Sequence, residues 1–513
     1  MKWTQKTKFT VLMTFHLMWG FVLWFSISKY GLGISSDSTH LLFAALNFSQ
    51  GRGLFSFDGN FVSSWPPLYP MLLALIQLVT RLNPFYSALA LQVTAFAGIS
   101  VCLSILFLKI FPDNFGLALA ASVLSEVGIL IPNAFGFVDS DYLHLFLVML
   151  FVVLAGYAIE RKSGRLLVGL SVVGMLAMLQ RYLGIAAIGT GLVIVFFSTT
   201  GSLKQRILRS ALMALSALPA GIWLYFASTA YRGPVSFGEN FYWFSRSILD
   251  WFIQTQTIRS QLNIYIAALW MFIGGLIALL LFSRRDKAFP PFEVSLFVYG
   301  IFYVLALFGS ASVAYFNRLT GRFLLPIYIP LMTLFVAAFQ ILLRRSSQSS
   351  VRLLRQAVPP VFFVLLALGA WGLLRVTIPA VLDSHSNGLG GFNSRAWHEN
   401  SVMNYWLAHP PQGDYLLFSN YPDGVAFHTW HACSNSPAEY PGPYGKVQIP
   451  LTDYSQELFS SGREVYLVWI EPNAYSYYYK PGDFSLIAEV KPLFADPKDG
   501  GVYLLTPKGN SAP

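Results

Sequence analysis

The sequence predicts a mainly α, polytopic membrane protein with about eleven transmembrane helices and a small C-terminal α/β extracytoplasmic domain. Three observations predict it. Of the 513 residues, 55% are hydrophobic and only 11% are charged, against about a quarter charged in soluble chains, and the mean hydropathy is +0.55. The apolar residues gather in stretches close to the ~20 that a helix needs to cross a bilayer. Beyond residue 380 the composition changes to Asn, Ser, Pro, Gly and Tyr, with short apolar runs only.

The first element follows Lys2, Lys6 and Lys8 and runs apolar to Tyr30. It is too long for a signal core and has no small-residue cleavage site, so it reads as an uncleaved span. Further spans are expected at 84–108, 114–132, 141–159, 166–180, 182–199, 210–230, 262–282, 292–314, 323–343 and 357–378. With the N-terminus cytoplasmic, the inner side receives Lys109, Arg161, Lys162, Arg165, Lys204, Arg206, Arg209, Arg284, Arg285, Arg344 and Arg345. That is the positive-inside pattern. Residues 66–80 are apolar but short, and counting them as a span would turn those basic clusters outward, so an interfacial helix is expected there.

An odd number of spans leaves the C-terminal part outside. The expected division is a membrane domain over 1–380, with 31–80 as an outer loop bearing interfacial helices, and a soluble domain over 381–513. In the latter, 415–418, 465–470 and 502–505 read as buried strands, with a tight turn at Asp499-Gly500-Gly501. The formal charge of +10 does not indicate nucleic acid, because no compact basic domain presents it. Cys102 lies in an apolar run and Cys433 in the polar tail, so no disulfide is expected, and zinc-type Cys/His spacings are absent.

The chemistry-bearing residues gather at the outer face. Asp37, in Ser35-Ser-Asp-Ser-Thr-His40 after the first span, reads two ways: a carboxylate able to take the proton of an attacking hydroxyl, or a helix N-cap. A second acidic site, Asp139-Ser-Asp141, lies where the chain turns outside between two spans. Arg181, Arg318 and Arg322 interrupt apolar sequence at the same face; their planar forks match phosphate oxygens, although a lone terminal Arg also snorkels to headgroups. His40 and His144 each follow an acidic residue by three positions, and either assist it or pack. Glu126, inside an apolar run, is expected to face protein or a cavity.

Taken in order, these residues resemble the GT-C superfamily of polyprenyl-phosphate-sugar-dependent glycosyltransferases, especially the family 39 protein mannosyltransferases and the aminoarabinose lipid A transferases. The matching series is Asp37, Asn47-Phe-Ser-Gln-Gly51-Arg-Gly53, Trp65-Pro-Pro-Leu-Tyr69-Pro, Ser140-Asp141, Arg181-Tyr182 and Arg322-Phe-Leu-Leu-Pro326. The chain departs from relatives with Lys before the Pro-Pro pair, having Ser64-Trp65, so either phosphate binding would rest on arginines or the donor would be held differently.

The resemblance implies a GT-C-like bundle and an inverting sugar transfer, with Asp37 as base or acceptor-orienting carboxylate and Asp141 shaping the same cavity. Arg181, Tyr182, Arg318, Arg322, His40, Asp139, Trp65 and Tyr69 would line the substrate site. It implies a polyprenyl-phosphate-sugar donor, a glycan, lipid or protein acceptor, and surrounding membrane lipids. No cofactor is required, and a divalent cation stays open. The alternative reading is a transporter or flippase of lipid-linked saccharides, which would show inverted repeats and broken midplane helices; neither is visible in the sequence.

Overall fold

The structure is a computed structural model and describes residues 4–198, 202–227, 237–251, 261–283, 289–313, 319, 321–348, 352–440, 447–473 and 475–508. The chain forms two compact units. One comprises Met1–Ser26, Ser63–Leu72 and Tyr86–Asp383, the other Ile27–Val62, Leu73–Phe85 and Ser384–Pro513.

Gln5–Ile27 (α1) is a long apolar helix, followed by the shorter Ser36–Ser49 (α2) and Leu68–Thr80 (α3) and the long Pro84–Ile110 (α4). Phe115–Glu126 (α5) and Leu130–Gly136 (α6) form one apolar segment bent by 56° at its break. Asp141–Arg161 (α7), Gly164–Gln180 (α8) and Ile185–Ser198 (α9) come next. Leu203–Leu215 (α10), Leu218–Ala227 (α11) and Phe237–Leu249 (α12) follow. Leu262–Ser283 (α13), Pro291–Val313 (α14), Gly321–Ser347 (α15) and Arg352–Asn387 (α16) complete the series.

Among the described residues, eight helices are long and apolar enough to cross a membrane, or nine if the bent pair is one span. The expected segments 166–180 and 182–199 fall on the shorter apolar helices Arg165–Gln180 and Tyr182–Phe197. A helix of about 16 residues rises only about 24 Å, short of the ~30 Å hydrocarbon core. That shortfall separates nine spans from eleven. The chain is a multi-pass membrane protein, with α7 packed against α8, α9 and α14, and α15 against α5, α13 and α14. Helices α7 and α15 are largely enclosed, whereas α13 and α16 keep most of their apolar surface exposed, where lipid would cover it.

The bend is stitched by polar side chains. Glu126 ends α5 and pairs with His16 of α1 at 2.7 Å, both buried. Tyr328 of α15 donates to the Leu124 carbonyl at 2.6 Å, and Thr377 of α16 to the Val127 carbonyl at 2.8 Å. A break frees helical carbonyls that hydrocarbon cannot solvate, and such partners satisfy them.

In the second unit, Arg395–Glu399 (α17), Ser401–Ala408 (α18), Pro422–Thr429 (α19) and Ser455–Phe459 (α20) accompany a five-stranded sheet of order β2-β1-β3-β5-β4. Its strands are Tyr415–Ser419 (β1), Ser434–Asn435 (β2), Glu464–Ile470 (β3), Ala488–Asp496 (β4) and Gly500–Pro507 (β5). β1 runs parallel to β2 and β3, while β5 is antiparallel to β3 and β4. Successive β3 residues alternate between two cores. Tyr466, Val468 and Ile470 face Trp406, Val425 and Phe43 of α2, and Leu467 and Trp469 face Phe418, Leu458 and Phe484, as the two-residue period requires. Cys102 and Cys433 are both free and buried.

Candidate functional site

The first unit brings the second acidic motif onto two arginines. Asp141 opens α7 and Ser140 precedes it as the cap residue; Asp139, Ser140 and Asp141 are all buried. Arg181 ends α8 in an extended conformation, and a one-turn helix, Tyr182–Gly184, leads into α9. Gly184 is required there, because a Cβ would strike the carbonyl of Ala177. This tight turn projects the Arg181 guanidinium onto Asp141, where Nη1 meets Oδ1.

Arg322, near the start of α15, completes the cluster. Its Nη2 lies 2.8 Å from Asp139 Oδ2 and its Nε lies 3.2 Å from Asp141 Oδ2. Asp139 Oδ1 also accepts from the Ser140 backbone at 2.5 Å, and Gln180 donates to the Ser140 carbonyl at 3.0 Å. Both guanidiniums lie against the Phe323 ring, at 5.8 and 5.9 Å. The Arg322 side chain is 41% exposed and Arg181 is 15% exposed, so Arg322 is the cation more open to a ligand. Two positive and two negative charges thus hold one another in fixed orientation. Arg318 lies outside the described residues.

The Pro-Pro segment belongs to the same unit. Tyr182 OH reaches the Ser63 carbonyl at 3.5 Å, and Trp223 Nε1 donates to the Trp65 carbonyl at 3.2 Å. Tyr69 is buried. Near the start of α15, Trp243, Arg246, Ser247, Asp250 and Trp251 of the α12 region line a small, mainly apolar pocket of about 250 Å³ together with Ile129, Leu130 and Gly321. Arg246 stands 5.0 Å from the Trp243 ring. Another face of α12, with Phe244 and Ile248, lines an almost wholly apolar groove of about 540 Å³ together with Trp270, Val304, Pro330 and Leu334. Sequence reasoning did not single out Arg246, because Phe237–Leu249 lies between expected spans.

Asp37 belongs to the second unit. It is half-buried at the second position of α2. Ser35 is the N-cap: its hydroxyl accepts from Ser38 N while the Ser38 side chain answers the Ser35 backbone, a capping box. The cap role that Asp37 could fill is therefore taken by serines. His40 places Nδ1 2.5 Å from Ser56 Oγ and Nε2 3.4 Å from Asp423 Oδ1. Asp423 also accepts from Ser36 Oγ at 2.9 Å. Burial raises the Asp423 carboxyl above its ordinary range, against the opposing effects of His40 and the Ser36 hydroxyl. His144 is buried within α7. Among the described residues, no three His, Cys, Asp or Glu side chains converge as a metal site would require.

Two solved structures of ArnT from Cupriavidus metallidurans superpose on this architecture. The apo form gives a TM-score of 0.59 at 12% identity, covering 97% of this chain and 98% of that one. The form bound to undecaprenyl phosphate gives 0.58 at 12%, covering 97% of each. The chain shares the fold of these two ArnT structures. The Archaeoglobus fulgidus oligosaccharyltransferase in complex with zinc and sulfate also aligns, at a TM-score of 0.49 and 14% identity, over 98% of this chain and 74% of that one. No protein-family model and no curated protein matches the sequence. The likeness to ArnT spans nearly the whole chain, so the helical part and the small sheet both belong to it. At these identities it is a likeness of fold, and function is argued from the side chains.

Proposed function

We propose that this GT-C chain transfers a sugar from a polyprenyl-phosphate carrier to an acceptor hydroxyl outside the cytoplasm, with inversion at the anomeric carbon. The observation that carries the reading is the pair of guanidiniums, Arg181 and Arg322, oriented by buried Asp139 and Asp141 in the unit whose helices α12 to α15 enclose an apolar groove. A polyprenyl-phosphate donor demands both features, a cation for its phosphate and apolar surface for its chain. The undecaprenyl phosphate held by ArnT is a ligand of this class.

In the proposed reaction the acceptor oxygen attacks the anomeric carbon while the carbon–oxygen bond to phosphate breaks, and its electron pair stays on the phosphate. Asp37 takes the acceptor proton. Arg322 and Arg181 stabilise the charge that grows on the leaving phosphate, and fixing them beforehand avoids reorganisation during the reaction. Asp139 and Asp141 act as orienting groups, since both are engaged with guanidiniums. Tyr182, Trp65 and Tyr69 shape the first unit beside them.

The test is release of radiolabelled sugar from polyprenyl-phosphate monosaccharides by the purified protein in lipid, with and without glycan, lipid or protein acceptors. Release or transfer supports the reading. Movement of the intact lipid between leaflets without release, across several sugars, would replace it with lipid-linked saccharide transport.

A further inference from the structure

The first turn of α2, which carries Asp37, is held from the C-terminal part of its own unit. The incoming strand is tied first: Asn393 Nδ2 donates to the Tyr30 and Leu32 carbonyls at 2.5 and 2.9 Å, and Phe392 N donates to Ile34 O at 2.8 Å. Gly391 adopts a φ of 66°, and a Cβ there would strike the Ile34 carbonyl. The chain must approach this closely, and only glycine permits it.

The helix itself is gripped next. Asp423, in the first turn of α19, accepts from Ser36 Oγ at 2.9 Å and meets His40 Nε2 at 3.4 Å. Ser36 and His40 are four residues apart and lie on one face of α2. Asp37 is the next residue after Ser36, so its side chain leaves the helix about 100° around from the gripped face. Together with the buried packing of Leu41, Leu42 and Phe43, this carboxylate fixes the rotation of the helix at its first turn, and with it the direction of the Asp37 side chain.

We propose that Asp423 is a positioning residue for Asp37, so that the C-terminal domain tunes the transferase carboxylate through α2. This inference rests on the reading of Asp37 as the group that takes the acceptor proton. Displacing a reacting group by about 1 Å can cost on the order of a hundredfold in rate, so the grip has room to matter without touching substrate.

The experiment is a double-mutant cycle on the full chain in lipid, reading sugar transfer from a radiolabelled polyprenyl-phosphate monosaccharide. Asp423→Ala should lower kcat by about tenfold or more with donor KM unchanged. Asp423→Asn keeps an acceptor for Ser36 and should recover most of the rate. In the Asp37→Asn background the Asp423→Ala change should have no further effect, because residues that act through one another are non-additive. If Asp423→Ala folds poorly, Ser36→Ala combined with His40→Gln removes the same grip from the other side and should show the same non-additivity. Equal losses in both backgrounds would mean a general structural role and overturn the inference while leaving transfer intact. Absence of transfer in the wild type would instead remove the parent reading, and the inference with it.

Discussion

Arg322 is the side chain on which the proposed donor site turns, because one guanidinium spans two carboxylates, 2.8 Å from Asp139 and 3.2 Å from Asp141. Arg322→Ala is expected to lower kcat by about 10²–10³. Arg322→Lys should restore little, since a point charge cannot reproduce the planar fork; steady-state kinetics with saturating donor checks both. These arginines were legible in the sequence because a charge interrupting apolar residues stands out. Asp423 and Asn393 were not, since a polar residue in a polar domain has no contrasting background. A second expectation concerns His428, whose Nε2 donates to the Phe392 carbonyl at 2.6 Å and whose ring stacks on Trp397. Burial lowers it to about 4 from its ordinary 6.5. The folded value lies below the unfolded one, so its contribution to stability is complete above pH 6.5 and is lost as pH falls toward 4. Burial lowers His398 as well, which adds in the same direction. Amide protection in β3 and β5, corrected for the intrinsic pH dependence of exchange, should therefore fall between pH 7 and pH 5, and His428→Gln should flatten that dependence.

At the scale of elements, α2 separates capping from the chemistry proposed for Asp37. Ser35 and Ser38 close its N-terminus, so Ser35→Ala should destabilise the helix by about 1 kcal/mol, while Asp37→Asn should leave its amide protection nearly unchanged. Hydrogen exchange over residues 36–49 distinguishes the two. Gly391→Ala should loosen the segment before α2 more severely, because both the left-handed φ and the Ile34 carbonyl forbid the methyl group. The sequence showed β1, β3 and β5 because they are buried apolar runs. It hid β4, an edge strand in which Lys491 and Pro492 break the alternation and a register shift falls between Pro492 and Phe494. Pro is tolerated at such an edge, where no further strand needs its N–H. The short helices α8 and α9 are apolar enough to read as spans; their length separates them from the others.

At the scale of the molecule, hydropathy made the multi-pass architecture legible, since lipid leaves few alternatives to apolar helices. The pairing of Asp139 and Asp141 with Arg181 and Arg322 was not legible as contacts, because it joins positions far apart in the chain. Nor was the inclusion of α2 in the same compact unit as the C-terminal sheet, which depends on Phe43 and Phe57 sharing its core. The central claim is that Asp37 serves sugar transfer from a polyprenyl-phosphate donor. Its most direct test compares wild type with Asp37→Asn, at matched amide protection in lipid, for transfer of labelled sugar to an acceptor hydroxyl. The account predicts transfer by the wild type and loss of most of it in the variant, with polyprenyl-phosphate binding retained. Equal transfer by the two proteins would contradict it.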